Sequence, residues 1–262
     1  MSKYLIVGGD SFTSDFLRWT NGPGVPSHPV DNMGYLTHKT WPKYVADHLG
    51  LELINTAKAG SGNMGIYTRI QDAVLDVGPD NVGYVIAAWS KCERLDLETD
   101  RYSRRSGENK YTRSWTNRIV DPTADVYWYI HRSLRSFWQL QFLCEQYNIP
   151  YHQFQMISLF KDYLNMFDKN EHDNNAFRTE PLRADVIATI KEFDYFDRIQ
   201  NFRGWPIFDE LGGFTMEERV IRNKNSSTNP TLVLNADDTN KRDVHPNSVG
   251  HKIIAETVIG DL

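Results

Sequence analysis

The chain has 262 residues, of which 40% are hydrophobic and 24% charged, and its formal net charge is −5. This composition is ordinary for a globular protein and argues against a disordered or fibrous chain. The net negative charge argues against nucleic acid as a partner. No apolar run approaches the roughly 20 residues that cross a bilayer, and the N-terminus lacks a signal-peptide pattern. We therefore predict a cytoplasmic protein with no membrane partner, while export by another route, for instance in a virus particle, stays open.

The first 90 residues alternate between strand and helix patterns. Apolar runs at 4–8, 51–55 and 84–89 are typical of buried strands, and the spacing at 41–49 predicts a helix with Pro42 in its first turn and Gly50 closing it. A second helix is predicted after the turn that ends at residue 63, because its apolar residues recur at helical spacing. Strands that alternate with helices predict parallel pairing, and hence a three-layer α/β/α sandwich with about five strands.

The rest of the chain is less regular. We predict a long amphipathic helix over about 128–147, a fourth strand at 151–156 that alternates in polarity, and a helical stretch over 182–193. Residues 231–235 are either a short strand or a connection, and a last helix begins at about residue 248. A single domain, 1–262, therefore carries two insertions, at about 96–127 and 162–230, and insertions of this length are often lids or specificity elements.

Two short motifs carry the parts of acyl-transfer chemistry. Gly9-Asp10-Ser11 directly follows the first strand, and Asp243-Val244-His245 lies near the far end of the chain, where we expect the histidine to open the last helix. A hydroxyl nucleophile, an imidazole base and an orienting carboxylate need to meet only in space. The alternative interpretation is that Asp10 and Ser11 cap a short helix, and that His245 merely helps the last helix to begin.

Three blocks together resemble the SGNH (GDSL-type) hydrolases: residues 9–13, residues 55–63, and residues 243–247 with Gly250 and His251. They occur in the family's order on the expected elements, although the middle third of the chain shows no resemblance. The resemblance implies a flavodoxin-like sandwich and hydrolysis of esters, thioesters or acetylated sugars. It also implies that Ser11 is the nucleophile, and that a glycine after the second strand, here Gly60, donates its N–H to the oxyanion hole.

The chain departs from the family pattern at two places. The family's third block usually has Gly-x-Asn-Asp after the third strand, whereas this chain has Ala88-Trp89-Ser90-Lys91-Cys92. Since either side chain can donate a hydrogen bond, we expect Asn63 or Ser90 to complete the oxyanion hole with Ser11 and Gly60. The family's acid usually stands three residues before the histidine. Arg242 occupies that position here, so we assign the role to Asp243, with Asp237 and Asp238 as fallbacks.

The remaining candidate residues indicate neither a metal nor a cofactor. Three histidines lack paired ligands, and residues 168–175 lack the glycine and the terminal glutamate of an EF-hand. His251 is interpreted as a packing or capping residue, and the two cysteines as reduced thiols. The aromatic residues in polar segments either pin loops to the body of the protein or contact a ligand. The histidines are His48, His131 and His152, and the cysteines are Cys92 and Cys144.

These observations predict a serine hydrolase that cleaves an acyl ester through a Ser11–His245–Asp243 triad and an acyl-enzyme intermediate. The substrate class is a small-molecule or polysaccharide ester, with deacetylation of a carbohydrate as one form of it. The main alternative keeps the fold without the catalysis, as a carbohydrate-binding or structural module, for example in a virion. A phosphate-binding turn after the first strand is a weaker alternative, because the chain lacks a P-loop or a Gly-x-Gly-x-x-Gly pattern.

Overall fold

The structure is a computed structural model that describes residues 3–15, 38–92, 94, 96, 126–159, 179–221, 233–235 and 243–262. A five-stranded parallel sheet runs through it in the order β2-β1-β3-β4-β5. This is the flavodoxin-like order, in which ligands bind beyond the carboxyl ends of the strands. The strands are β1 (Tyr4–Gly8), β2 (Glu52–Asn55), β3 (Val82–Trp89), β4 (Tyr151–Gln155) and β5 (Phe202–Arg203).

The helices pack on both faces of the sheet, so the predicted three-layer α/β fold is confirmed. One hydrophobic core joins the sheet to α2, α3 and α4, and a second joins it to α1 and α5. None of the helices in the described ranges is both long and apolar enough to span a membrane. The helices are α1 (Trp41–Leu49), α2 (Asn63–Val77), α3 (Val126–Gln146), α4 (Thr179–Lys191) and α5 (Ser248–Ile259).

Strand β1 shows why its sequence is an unbroken apolar run. Leu5, Ile6 and Val7 are fully buried. Ile6 belongs to the core under α2 and α3, whereas Leu5 and Val7 belong to the core under α1 and α5. Successive side chains of a strand point to opposite faces, and a parallel sheet is covered on both. The end of β1 is therefore held from both sides, which fixes the position of the turn that follows it.

Helix α1 has the two boundaries that its sequence predicts. Pro42 lies in its first turn, where the missing N–H costs no intrahelical hydrogen bond. Gly50 closes the helix at φ 66°, and its N–H donates to the carbonyl oxygens of Ala46 and Asp47. A left-handed residue at this position favours glycine.

Several details of the sequence interpretation are corrected. β5 lies inside the insertion that is predicted at 162–230, and all five residues of β4 are buried instead of alternating, because helices cover both faces of the sheet. His245 does not open the last helix. It lies in β7 (Asp243–Pro246), which pairs antiparallel with β6 (Val233–Asn235), and Asn247 caps α5 by accepting the N–H groups of Val249 and Gly250. The predicted insertion at 96–127 lies largely outside the described residues, whereas the structure describes 179–221 of the predicted insertion at 162–230, including α4 and β5.

His251 links the two helices on one face of the sheet. The residue is 1% exposed, and its Nδ1 accepts the backbone N–H of Trp41, the first residue of α1, at 3.3 Å. Accepting at Nδ1 requires the neutral ring. Burial, and then the nearby His38 and His245, lower the pKa of His251 to about 3. The interpretation of His251 as a packing or capping residue is therefore confirmed.

We predict that His251 makes stability depend on pH. The pKa of His251 lies below its ordinary value of 6.5, so the folded state binds fewer protons than the unfolded chain between pH 6.5 and about 3. The free energy of unfolding should therefore fall as the pH falls through this window, by up to about 1.4 kcal/mol per pH unit for one proton. His251→Asn keeps an acceptor and should reduce this slope in urea titrations.

The matched control is His48→Asn, at an exposed position of the same helix pair. It should leave the pH dependence of unfolding as in the wild type. An identical slope in His251→Asn and the wild type would contradict the assignment.

Candidate active site

The two ends of the chain meet at the carboxyl edge of the sheet. The Oγ atom of Ser11, in the turn after β1, lies 2.7 Å from Nε2 of His245 in β7. Both residues are partly buried, and the ring of Phe12 lies against the imidazole with a centroid distance of 4.9 Å. A hydroxyl and an imidazole at this distance have the geometry of a nucleophile and its general base.

A buried carboxylate shapes the turn that carries Ser11. Asp10 is fully buried, its Oδ1 accepts the N–H of Phe12 at 3.0 Å, and its carbonyl oxygen accepts the N–H of Thr13 at 3.0 Å. A Cβ atom at Gly9 would lie 2.4 Å from Oγ1 of Thr13. The motif therefore needs glycine for close packing and aspartate for hydrogen bonding within the turn, while Ser11 stays at its outer side.

The turn after β2 lies beside the turn after β1. The N–H of Lys58 donates to the carbonyl oxygen of Gly9 at 3.1 Å, and Gly60 adopts a left-handed φ of 73° two residues later. Within the described part of the chain, the backbone N–H groups of Ser11 and Gly60 donate no hydrogen bond. Such donors can hold an anionic oxygen.

Asn63 and Ser90 bind each other in the interior. Nδ2 of Asn63 donates to the carbonyl oxygen of Ser90 and to Oγ of Ser133, both at 3.0 Å, and Oδ1 accepts the N–H of Ser90 at 2.8 Å. The Ser90 hydroxyl donates to Oδ2 of Asp10 at 2.9 Å. Every donor hydrogen of these two side chains therefore has an internal acceptor, and the contacts tie α2 and α3 to the end of β3.

Arg94 is a site residue that the sequence analysis missed. Its Nη1 lies 2.6 Å from Oγ of Ser90, 3.0 Å from Oδ2 of Asp10 and 3.2 Å from the carbonyl oxygen of Ser61. None of the motif blocks includes this residue, so they do not indicate it. A buried acid beside a nucleophile does call for a cationic partner. The chain has 29 lysines and arginines, however, and only the fold selects one of them.

For Asp243, the predicted acid of the triad, the structure describes the backbone alone. Position 243 begins β7, two residues before His245, and the side chain of Asp243 lies outside the described part of the structure. Asp237 and Asp238 also lie outside the described residues. The triad role of Asp243 therefore stays a prediction.

Two observations on the described residues bear on alternative chemistry. The described residues contain no group of three or more His, Cys, Asp or Glu side chains that could hold a metal ion. Burial raises the pKa of Cys144 to about 12, so this thiol is a poor nucleophile. Residues 168–175 lie outside the described ranges.

No family model and no curated protein matches the chain. Solved structures do resemble it. A protein assigned to the G-D-S-L lipolytic family from Desulfitobacterium hafniense is 13% identical over 100% of both chains, with a TM-score of 0.48. Esterase EstA from Pseudoalteromonas is 11% identical over 99% of this chain and 96% of that chain, with a TM-score of 0.44. An acetyl-xylooligosaccharide esterase from Geobacillus is 16% identical over 99% and 93%, with a TM-score of 0.41.

What the chain's own structure defines is a class: an α/β protein with a flavodoxin-like parallel sheet and a serine–histidine pair at its carboxyl edge. In its sequence blocks and in this fold, the chain resembles the SGNH hydrolases, with an atypical third block.

We predict that Asn63 is a structural residue. Asn63→Asp replaces the amide donor by an acceptor that faces the carbonyl oxygen of Ser90, so it should lower the free energy of unfolding by about 1–3 kcal/mol. Urea unfolding monitored by tryptophan fluorescence measures this change. The control is Asn81→Asp, which removes one hydrogen bond to the carbonyl oxygen of Val77 at a partly buried site. Equal destabilisation in both variants would contradict the prediction.

Proposed function

We propose that the protein is a serine hydrolase that cleaves acyl esters. The observation that carries this proposal is the 2.7 Å contact between Oγ of Ser11 and Nε2 of His245. A hydroxyl that donates to Nε2 requires a neutral imidazole with its proton on Nδ1. Such a ring takes the hydroxyl proton as Oγ attacks the substrate carbonyl, and later returns it to the leaving alcohol.

Asp243 is the proposed acid that orients His245. Residues two apart in a strand occupy the same face, so positions 243 and 245 lie on one face of β7. A carboxylate that accepts from Nδ1 holds the reactive tautomer and stabilises the imidazolium that forms during attack. In the family pattern the acid stands three residues before the histidine, whereas Asp243 stands two residues before His245.

The proposed oxyanion hole consists of the backbone N–H groups of Ser11 and Gly60. They belong to adjacent turns at the sheet edge and donate no hydrogen bond within the described part of the chain. Asn63 and Ser90 stay predicted contributors, but a donor from either one would first have to leave its internal acceptor. In this proposal the two backbone N–H groups therefore provide most of the stabilisation of the developing negative charge.

An acetylated carbohydrate is one form of the proposed substrate. Trp128, in the first turn of α3, is 53% exposed, and the guanidinium of Arg132 lies 4.8 Å from its ring centroid. Arg132 also donates to the carbonyl oxygen of Arg94, which connects this aromatic side chain to the active-site region. An exposed indole can stack on a sugar ring, which supports a carbohydrate as the alcohol portion of the ester.

Ser11→Ala and His245→Ala should each abolish turnover of p-nitrophenyl acetate, with kcat lower by at least about 10⁴-fold. The reason is that each variant removes one partner of the proton transfer. Initial rates, followed by absorbance of the released phenolate, measure the effect. Ser248→Ala and His48→Asn, at exposed positions, are the controls and should keep wild-type rates.

The alternative is a carbohydrate-binding or structural module with the same fold. The internal hydrogen bonds of Asn63 and Ser90 favour it, because the usual third-block donor is absent and its two proposed substitutes are engaged. Wild-type protein that does not turn over the aryl ester, or rates unchanged in both Ser11→Ala and His245→Ala, would favour this alternative over the hydrolase.

Asp243→Asn should identify the acid. An amide leaves the geometry of β7 intact but favours the wrong tautomer of His245, so kcat should fall by about 10⁴-fold. Asp237→Asn and Asp238→Asn serve as controls and should retain at least about a third of the wild-type kcat, because in this assignment neither carboxylate orients His245. A large loss in either control, together with an active Asp243→Asn variant, would move the assignment to that residue.

A further inference from the structure

We propose that Arg94 is a positioning residue for ester hydrolysis, which rests on the proposed function. Its guanidinium holds the turns of Ser11 and Gly60 in register and neutralises the carboxylate beside the nucleophile. The sequence motifs do not include Arg94. It lies four residues after Ser90, just beyond the block where the family's usual amide is missing.

One nitrogen of Arg94 contacts all three turns that form the site. Nη1 lies 3.0 Å from Oδ2 of Asp10, 3.2 Å from the carbonyl oxygen of Ser61 and 2.6 Å from Oγ of Ser90. These acceptors follow β1, β2 and β3. Asp10 directly precedes the nucleophile, and Ser61 directly follows Gly60. Both proposed oxyanion donors are thus adjacent to an atom that Arg94 holds.

The charge of Arg94 matters as much as its geometry. Asp10 is fully buried, and its ion pair with Arg94 is the one charge pairing of this carboxylate among the described residues. In a buried site a carboxylate without a cation would act strongly on nearby charge. The tetrahedral intermediate places a negative oxygen close to Ser11. Arg94 therefore removes a repulsion that the buried Asp10 would otherwise exert on the transition state.

Arg132 fixes the backbone that carries Arg94. Its Nη2 donates to the carbonyl oxygen of Cys92 at 2.9 Å and to that of Arg94 at 2.6 Å. Arg132 belongs to α3, which packs against α2. The backbone of Cys92 and of Arg94 is thereby attached to a helix in the layer that covers the sheet.

Asp96 makes a second contact with this layer, at the start of α2. Its carboxylate accepts the N–H groups of Gly62 at 2.9 Å and Gly65 at 2.7 Å, at the start of α2. A Cβ atom at Gly62 would lie 2.5 Å from the carbonyl oxygen of Arg94, and one at Gly65 would lie 2.5 Å from the Asp96 carboxylate. Two glycines thus let the chain pass close over the helix start, so Arg94 is held in place from both sides.

The test is Arg94→Ala, assayed on p-nitrophenyl acetate with and without added guanidinium. Loss of register in a catalytic turn can lower the rate on the order of 100-fold, so kcat should fall by about that factor. KM should stay within about threefold, since Arg94 contacts the turns instead of the substrate. Millimolar guanidinium should restore at least about a tenth of the lost rate. Arg94 is 18% exposed, so the free cation can reach the space that the deleted side chain leaves.

The matched control is Arg203→Ala. Arg203 also pairs with an aspartate, Asp261, and donates to the carbonyl oxygen of Thr257 at 3.3 Å. These partners lie at the C-terminal end of α5, about 18 Å along that helix from its start near His245. Arg203→Ala should keep the wild-type kcat and should not respond to guanidinium.

The proposal would be overturned by a folded Arg94→Ala variant whose kcat lies within about threefold of the wild type, including one in which only KM is raised. If Arg94→Ala does not fold, Asp10→Asn combined with Arg94→Gln removes the ion pair without leaving an unpaired charge, and it tests whether Arg94 holds the three turns in register. A folded double variant should again lose kcat at constant KM, and wild-type kcat in it would overturn the proposal. An inactive wild type would instead contradict the proposed function, so the two failures are distinguishable.

Discussion

The contact between Ser11 and His245 is the constraint on which the site depends. It joins residues 234 positions apart at 2.7 Å, so it exists only if the first strand and the last strand–helix unit reach the same sheet edge. β1 lies inside the sheet, covered on both faces, and α5 packs with α1 on one of them. His251 fastens these two helices by accepting the first N–H of α1. The global fold, rather than local sequence, thus sets the nucleophile–base distance.

A network of buried polar side chains holds the turns around the Ser11–His245 pair. Asp10, Asn63 and Ser90 are all nearly inaccessible and hydrogen-bonded to one another or to the backbone. Buried polar groups are costly unless they are satisfied, and a satisfied network specifies one arrangement. Here that arrangement joins the ends of β1 and β3 to the start of α2. The side chains of Asn63 and Ser90 hold the turns through these internal hydrogen bonds, so the proposed oxyanion hole relies on the backbone N–H groups of Ser11 and Gly60.

The sequence predicted the elements that have strong local signals. The apolar run of β1 and the proline and glycine boundaries of α1 are local features, and the structure has them where expected. β5 has two residues, and its place beside β4 comes from tertiary pairing, so no periodicity could indicate it. β7 was missed for a similar reason, because a strand of four residues next to a helix start resembles a cap.

The contrast between local sequence signals and tertiary packing also explains which site residues the sequence predicted. Ser11 and His245 belong to recognisable motifs, so their meeting could be proposed from the sequence and is present in the structure. Arg94 has no motif, and its role follows only from three acceptors contributed by separate turns. Likewise, the engagement of Asn63 with Ser133 depends on how α3 packs against α2, which no short pattern encodes.

The most direct measurement of the central claim is fluorophosphonate labelling followed by peptide mass spectrometry. Only a serine activated by a base reacts readily with this reagent. We expect one adduct per chain, on the peptide that contains Ser11, with labelling lost when His245 is replaced. An unlabelled wild-type protein, or an adduct on a different serine, would contradict the account.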